Sequence, residues 1–321
     1  MTDAWPTAFT ELVGCRVPIQ QAGMGGASTV ALAAAVAEAG ALGMLAPHGA
    51  PPEQVAADLD AVATVTGGAF GINFLIPFVS PSAVEAAAEH CRYIDFFYGD
   101  PDEALVARAA SGGAVVGWQV GSADEAVRAV EVGCKLVIAQ GTEAGGHVRG
   151  ALGLIPLLDA VLDRVDVSVV AAGGIATARA VAAVLAAGAA AVRVGTRFAT
   201  SIESGAHPDY VAALLAADGA DTVLTEAFGV GWPHAPHRVL RVSVEAATAF
   251  EGEVVGSMAT PDGPRPVGRF SPEAPRHGMT GSISAMALYA GQAVGAVTRI
   301  EAAADVVDEL ATGAARLLAP R

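Results

Sequence analysis

His147 stands in QGTEAGGHVRG (residues 140–150), directly after two glycines. An imidazole with a pKa of about 6.5 can take a proton from a carbon next to an electron-withdrawing group, or return one. Flanking glycines let such a loop approach a ligand closely. Without those glycines the residue would read as an ordinary surface-loop histidine. Two further segments are suited to an anion: AAGGI (171–175) and VGTRF (194–198). In each, glycine lets consecutive backbone N–H groups converge on phosphate oxygens, and the Thr196 hydroxyl adds a donor. Alone, either is a tight turn; together they predict a phosphorylated ligand or cofactor.

A fourth segment, QQAGMGGAS (20–28), opens like a dinucleotide fingerprint with Gly23-x-Gly25. The third glycine position is Ser28, however, and the next expected strand end (43–49) has no acidic residue for a ribose, so a Rossmann site is excluded. Its glycines can still bring backbone against a flat ligand. His234 and His237 have the spacing of two metal ligands, but Pro233 and Pro236 forbid a helix and no carboxylate or thiol follows closely, so no metal site is expected. His48, His90, His207 and His277 are isolated and read as surface or hydrogen-bonded filler.

These segments need a scaffold that brings them to one end. Three alanine-rich stretches end in Gly40, Gly133 and Gly188, each followed by a short, continuously apolar run. Glycine there closes a helix, and an unbroken apolar run suits a parallel strand covered on both faces. Further strands are expected at 17–20, 70–73, 93–96, 115–119 and 168–171, making eight strands alternating with helices through about residue 194. The pattern predicts an α/β fold, a (β/α)8 TIM barrel, with an open doubly wound sheet as the alternative. His147 and the two phosphate loops then follow expected strands six, seven and eight, at the carboxyl ends where barrel sites lie. The expected organisation is a barrel over 1–220, a Pro-, Gly- and charge-rich lid over 221–281 that holds PHAPHR and PDGPRPVGRF, and C-terminal helices over 282–321, with helical segments at 282–297 and 300–318.

Composition bounds the rest. The chain has 321 residues, 53% hydrophobic and 16% charged, enough apolar mass for a large core and incompatible with intrinsic disorder. Its formal net charge of −15 argues against nucleic-acid and membrane-surface partners, and means that an anionic ligand needs a local trap of backbone N–H groups. Three scattered cysteines, Cys15, Cys91 and Cys134, read as reduced thiols of a cytoplasmic protein. The first fifteen residues lack the basic region of a signal peptide, and no apolar run is long enough to span a bilayer.

PIQQAGMGG near the start, GINFLIP at Gly71, AQGTEAGGHVRG, VVAAGGIATARAVAAVLAAGAAAVRVGTRF, ESGAHPDY and the late Ala290-Gly291-Gln292 together cover most of the chain. With them it resembles the nitronate monooxygenase family (formerly 2-nitropropane dioxygenases). Flavin-dependent enoyl-acyl-carrier-protein reductases of the second type and NAD(P)H:quinone reductases share these motifs. The resemblance implies an FMN-binding barrel in which Gly23, Met24 and Gly25 face the flavin ring and Asn73 and Gln140 hydrogen-bond to it. Gly145, Gly146, Gly173, Gly174, Gly195 and Thr196 would form the ribityl and phosphate cradle, with Gln292 also at the cofactor and His147 as the catalytic base. It implies oxidation of nitroalkanes or their nitronates with O2. Alternatives are an NAD(P)H-dependent reductase or dehydrogenase acting on an enoyl or acyl thioester or a quinone, and a non-redox isomerase or lyase using the same phosphate site. A purine-nucleotide dehydrogenase is disfavoured, because no cysteine lies near residues 140–150. The expected partners are a small nitronate or acyl thioester with O2 or NAD(P)H, and a homodimer is compatible with the reading. Three places depart from the family pattern: Arg193, Gly117-Trp118-Gln119, and FGVGWPHAPH (228–237). All are expected to lie where substrate sits.

Overall fold

The structure, a computed structural model, describes residues 4–260 and 263–319. Residues 1–3 of the N-terminal stretch and Pro261 and Asp262 of the lid motif lie outside the described residues. The chain begins with α1 (Ala8–Val13) and runs through β1 (Ile19–Gln21), α2 (Val30–Glu38), β2 (Gly43–Leu45), α3 (Pro52–Val65), β3 (Phe70–Leu75), α4 (Pro81–His90), β4 (Tyr93–Phe97), α5 (Glu103–Ala110), β5 (Val115–Val120), α6 (Ala123–Glu131) and β6 (Leu136–Gln140). A two-residue strand β7 (Gly146–His147) interrupts the alternation before α7 (Leu154–Leu162), β8 (Ser168–Ala172), α8 (Ala178–Ala186) and β9 (Ala191–Val194).

Eight of these strands form one parallel sheet in the order β1-β9-β8-β6-β5-β4-β3-β2. A parallel bridge between Gln20 and Leu42 joins its two edges. The protein is therefore a (β/α)8 barrel, and the expected strands and helix-closing glycines are present, with Gly40, Gly133 and Gly188 all at positive φ. Most helices start on a side-chain cap, for example Thr29 accepting from the Leu32 N–H, Ser122 from Glu125 and Thr177 from Ala180. Among the described residues, no helix is long and apolar enough to cross a membrane.

Strand alternation explains how the lumen is filled. Ile94 and Phe96, Val137 and Ala139, and Val192 and Val194 pack outward with the helices. Tyr93, Leu136, Ile138 and Ala191 point inward and meet Phe9 and Val13 of α1, which closes the amino end of the barrel. One pleat further along each strand the lumen turns polar, with Asp95, Gln140 and Arg193. An inward residue near a strand's carboxyl end borders the site; one near its amino end is core.

After β9 come α9 (Thr196–Ala199), α10 (Pro208–Ala216), β10 (Thr222–Thr225), β11 (His237–Leu240), α11 (Arg241–Ala249), β12 (Val254–Met258), β13 (Arg265–Gly268), β14 (Met279–Gly281) and α12 (Ala303–Leu318). Strands β10, β11 and β7 form one antiparallel sheet, and β13, β12 and β14 another. Phe228, Val239, Val255, Val267 and Met279 make a small core of their own, which Ile283, Met286 and Ala287 share. Helix α12 packs on α8 and α2, so it supplies the outer-ring helix of the eighth βα unit. The whole segment between β9 and α12 is thus an insertion into that unit.

The helix expected over 282–297 is not formed. Two short 3-10 turns, Ile283–Ala285 and Gln292–Ala296, take its place. Backbone groups that a helix would use internally are taken by neighbours: Ala290 N–H donates to the Arg238 carbonyl, Gly291 N–H to Thr196 Oγ1, and Gln292 N–H to the Glu143 carbonyl. Alanine-rich propensity is worth only tenths of a kcal/mol per residue, and these contacts override it.

Candidate active site

One cavity of about 690 Å³ opens at the carboxyl end of the barrel. Gly23, Met24, Gly25, Asn73, Gln140, Gly145, Gly146, His147, Gly173, Gly174, Gly195 and Thr196 all line it. The sequence-predicted residues therefore come together, with one exception. Gln292 is exposed and does not line the cavity; Gly291 and Ala293 beside it do. The amides of Gly291 and Gln292 are spent on anchoring this turn to the barrel loops, which directs the Gln292 side chain to solvent.

The two phosphate loops lie side by side, because β8 and β9 are paired, Ala172 against Arg193. Gly173 and Gly174 both take positive φ (108° and 69°), a conformation costly for any residue with a side chain. Among the described residues, the amides of Gly174, Ile175 and Gly195 make no backbone hydrogen bond. Thr196 begins α9, where the first amides have no intrahelical acceptor. Its hydroxyl accepts from Gly291 N–H at 3.1 Å and keeps its own proton for a ligand. Gly145 closes the cradle: a Cβ there would lie 2.5 Å from the Gly291 nitrogen. Gly145→Ala is accordingly expected to push the 290–291 turn off the cavity wall and weaken binding of a phosphorylated ligand there about tenfold, measurable by calorimetric titration.

His147 is held on three sides. Positive φ at Gly146 (78°) turns the chain into β7, which pairs antiparallel with β11, His147 opposite His237. Gln140 Nε2 donates to the His147 carbonyl at 3.0 Å. The Trp232 indole stacks on the imidazole at 3.9 Å between ring centres and an interplanar angle of 23°, with Tyr98 and Tyr289 each at 5.6 Å. Burial, then the nearby His237 and His48 imidazoles, push the His147 pKa down to about 3. The His147 imidazole is therefore neutral at ordinary pH. Its Nε2 is shielded from water and, among the described residues, has no hydrogen-bond partner; the same holds for Gln140 Oε1. Two buried, unmet polar atoms on cavity residues mark places where a ligand completes the hydrogen bonding.

Beneath the cavity lies a buried ion pair. Arg193 bonds to Asp95, and also donates to Gln119 Oε1 at 2.6 Å and Gln20 Oε1 at 3.1 Å. Asp95 accepts in turn from Asn73 Nδ2, which orients that amide. So Arg193 and Gln119 do reach the cavity. Trp118 does not: it points outward, packs on Phe96 at 5.1 Å and donates to the Gly99 carbonyl, which corrects its expected place near substrate. Glu143, the acid of the EAGGH motif, accepts from the Leu154 N–H and so caps α7, whose N-cap residue is a glycine.

Several site residues escaped sequence reasoning. His48, set aside as isolated, lines the cavity beside Gly25. Tyr289 comes from the insertion and Tyr98 from the loop after β4, and no spacing rule connects them to residue 147; Trp232 lies in the departing segment 228–237 expected near substrate, and it does line the cavity. His237 uses both nitrogens, Nδ1 with the Ala235 carbonyl and Nε2 accepting from Phe228 N–H, so it supports His147 from behind.

Comparison with known proteins agrees with this fold. A family model described as nitronate monooxygenase matches residues 7–92 and 83–313. A (3aS,4S,5R,7aS)-5-hydroxy-7a-methyl-1-oxo-octahydro-1H-indene-4-carboxyl-CoA dehydrogenase of Rhodococcus jostii is 36% identical over 79% of this chain and 70% of its own. A probable nitronate monooxygenase of Staphylococcus aureus is 30% identical over 68% of this chain and 75% of its own. Among solved structures, FabK from Thermotoga maritima superposes with a TM-score of 0.83 at 29% identity, covering 98% of both chains. Nitroalkane oxidase from Streptomyces ansochromogenes does so at 0.76 and 31%, covering 97% of this chain and 98% of that one.

Proposed function

Because the chain belongs to the nitronate monooxygenase family, we propose that this oxidoreductase depends on FMN and oxidises carbon acids of the nitroalkane and nitronate type, with His147 as the base. The observation that carries the reading is the neutral, unpartnered Nε2 of His147 on the wall of a cavity that also offers paired glycine loops. The residues present fit FMN. The amides of Gly174, Ile175, Gly195 and Thr196 suit its phosphate, and the unmet acceptor Gln140 Oε1 suits the imide N–H of its ring. Asn73 offers a second polar contact, fixed in orientation by Asp95. When bound, FMN supplies the electron acceptor for the substrate and passes electrons on to O2.

The protein's own part is proton handling and exclusion of water. His147 Nε2 takes the proton α to the nitro group, which its depressed pKa leaves it free to do. Trp232, Tyr98 and Tyr289 shelter the imidazole and limit the substrate to a small or flat group. Adding a small nitronate, NADH and NADPH separately to the flavoprotein without oxygen tests the reading. Bleaching of the visible flavin band by the nitronate supports it; bleaching by NAD(P)H alone refutes it.

The pKa shift fixes a second outcome. A free histidine loses its basic form as pH falls through about 6.5. With its pKa lowered to about 3, His147 stays unprotonated through that range. The pH profile of kcat/KM for a neutral nitroalkane is thus expected to be flat from pH 7.5 down to about 5, with the acid limb near 3. An acid limb at 6–7 would contradict a buried, neutral base.

A second reading is favoured by two arginines that the insertion places on the cavity wall and by the carboxyl-CoA dehydrogenases at 36% identity. Here the site oxidises or reduces an acyl thioester, and His147 serves the carbon α to the thioester carbonyl, whose proton is acidified for the same reason.

A further inference from the structure

The insertion places Arg265 (β13) and Arg276 on the wall of the cavity, and both guanidinium groups converge on one sulfur atom. Met258 Sδ lies 2.6 Å from Arg276 Nη2, 3.2 Å from Arg276 Nε and 3.9 Å from Arg265 Nη2. Two like charges meeting at a thioether is an unfavourable arrangement unless an anion joins them. Arg265 has a carboxylate, Glu273, held by one nitrogen at 2.6 and 2.7 Å. Among the described residues, Arg276 has no carboxylate or carbonyl partner, only the sulfur, a weak acceptor. The third cavity arginine, Arg193, is already paired with Asp95 and bonded to Gln119 and Gln20. In a chain with 33 acidic and 18 basic residues, an arginine left without an acid on a cavity wall is a specific feature.

Its position is also fixed. The aliphatic stem of Arg276 covers Gly26, where an added Cβ would lie 3.0 Å from Arg276 Cδ. Its backbone bridges to Ala206, and the flanking Pro275 carbonyl and His277 N–H bond to His207 and Gly205. The guanidinium is thus carried by a strap pinned across the first barrel loop, and little side-chain freedom remains to be lost on binding. Among the described residues, the other carboxylate on the cavity wall is Asp58, which accepts from Gln54. With Glu273 offset by Arg265, the Met258 cluster keeps, among the described residues, one positive charge without an acidic partner.

We propose that Arg276, assisted by Arg265, forms an anion-binding lip for a phosphate or diphosphate carried at the remote end of the substrate or co-substrate, as in a pantetheine-type thioester or a reduced dinucleotide. The inference rests on the second reading above, in which the ligand is larger than a nitroalkane. A guanidinium fork matches phosphate oxygens in pairs, and the anion supplies the acceptor that Met258 cannot.

Calorimetric titration of the FMN-loaded protein with coenzyme A, pantetheine, NADPH and NADH tests this without relying on turnover. Coenzyme A or NADPH is expected to bind about tenfold more weakly to Arg276→Gln than to the wild type, and more weakly to the wild type as salt rises. Pantetheine, which lacks phosphate, is expected to bind both proteins alike. A loss confined to coenzyme A assigns the lip to a thioester; one confined to NADPH assigns it to a dinucleotide. Arg276→Lys keeps the stem on Gly26 and the charge but removes the fork, so intermediate affinity is expected from a well-folded variant. Equal affinity in all three proteins, or salt-independent binding to the wild type, overturns the proposal. So does loss of FMN from Arg276→Gln, which would assign the arginine to the flavin phosphate. Coenzyme A binding without thioester oxidation or reduction would remove the second reading and leave the lip standing.

Discussion

His147→Ala is expected to lower turnover of a neutral nitroalkane by about a hundred- to ten-thousand-fold, the range for loss of a positioned base. FMN binding should survive. Gln140 is fixed through the backbone carbonyl of residue 147, which alanine retains, and the phosphate loops are built by β8, β9 and α9 without any contribution from the imidazole. The effect should depend on the substrate's protonation state. A preformed nitronate has already lost the α-proton, so its oxidation should fall far less than that of the parent nitroalkane. Steady-state rates on both forms, with the flavin spectrum as the control for occupancy, check this. Equal losses on the two substrates would mean that His147 positions the substrate without removing a proton. Unchanged turnover on both would remove it from the chemistry.

Asp95→Ala is expected to destabilise the fold by about 3–5 kcal/mol, because it strands a buried guanidinium. Asp95 is fully buried and Arg193 is 5% exposed, so little solvent is available to replace the lost partner. The remaining acceptors of Arg193, the amide oxygens of Gln20 and Gln119, carry no formal charge. Asn73 loses its partner too, so FMN affinity should fall along with stability. Urea denaturation of the apoprotein separates the two effects. Replacing the pair together, Asp95→Leu with Arg193→Met, is expected to be far less destabilising than Asp95→Ala alone, since the desolvation penalty of both charges disappears with them. If the single variant unfolds at the wild-type urea concentration, the pair is not the buried anchor that its geometry indicates.

Both predictions concern residues that sequence reading treats very differently. His147 was legible because two glycines precede it after a recognisable strand, and the same local logic exposed Gly173–Gly174 and Gly195–Thr196. Asp95 was not legible at all. It sits in YIDFF, where period-2 alternation puts it on the inner face, yet nothing in that segment shows that its partner is Arg193, 98 residues away. Arg193 stood out only as a departure from a family pattern. Trp118 looked equally unusual and faces the opposite way, because neighbouring residues on a strand point to opposite faces. His48 reads as an isolated histidine and His237 as half of a His-x-x-His pair, and only the fold places the first on the cavity wall and the second behind His147.

Local sequence determined the eight strands, the glycine-closed helices and the turns with amides free to hold an anion. Each depends on backbone preferences and apolar runs within a few residues, and such signals are readable in one dimension. The aromatic enclosure of His147, the buried pair under Asn73, the outward turn of Gln292 and the meeting of Arg265 with Arg276 on Met258 were decided only by the tertiary structure. These contacts join residues from different βα units and from the insertion. Their partners are chosen by strand register, and by which side of the barrel the inserted strap crosses, and neither is encoded in the spacing of the residues that meet.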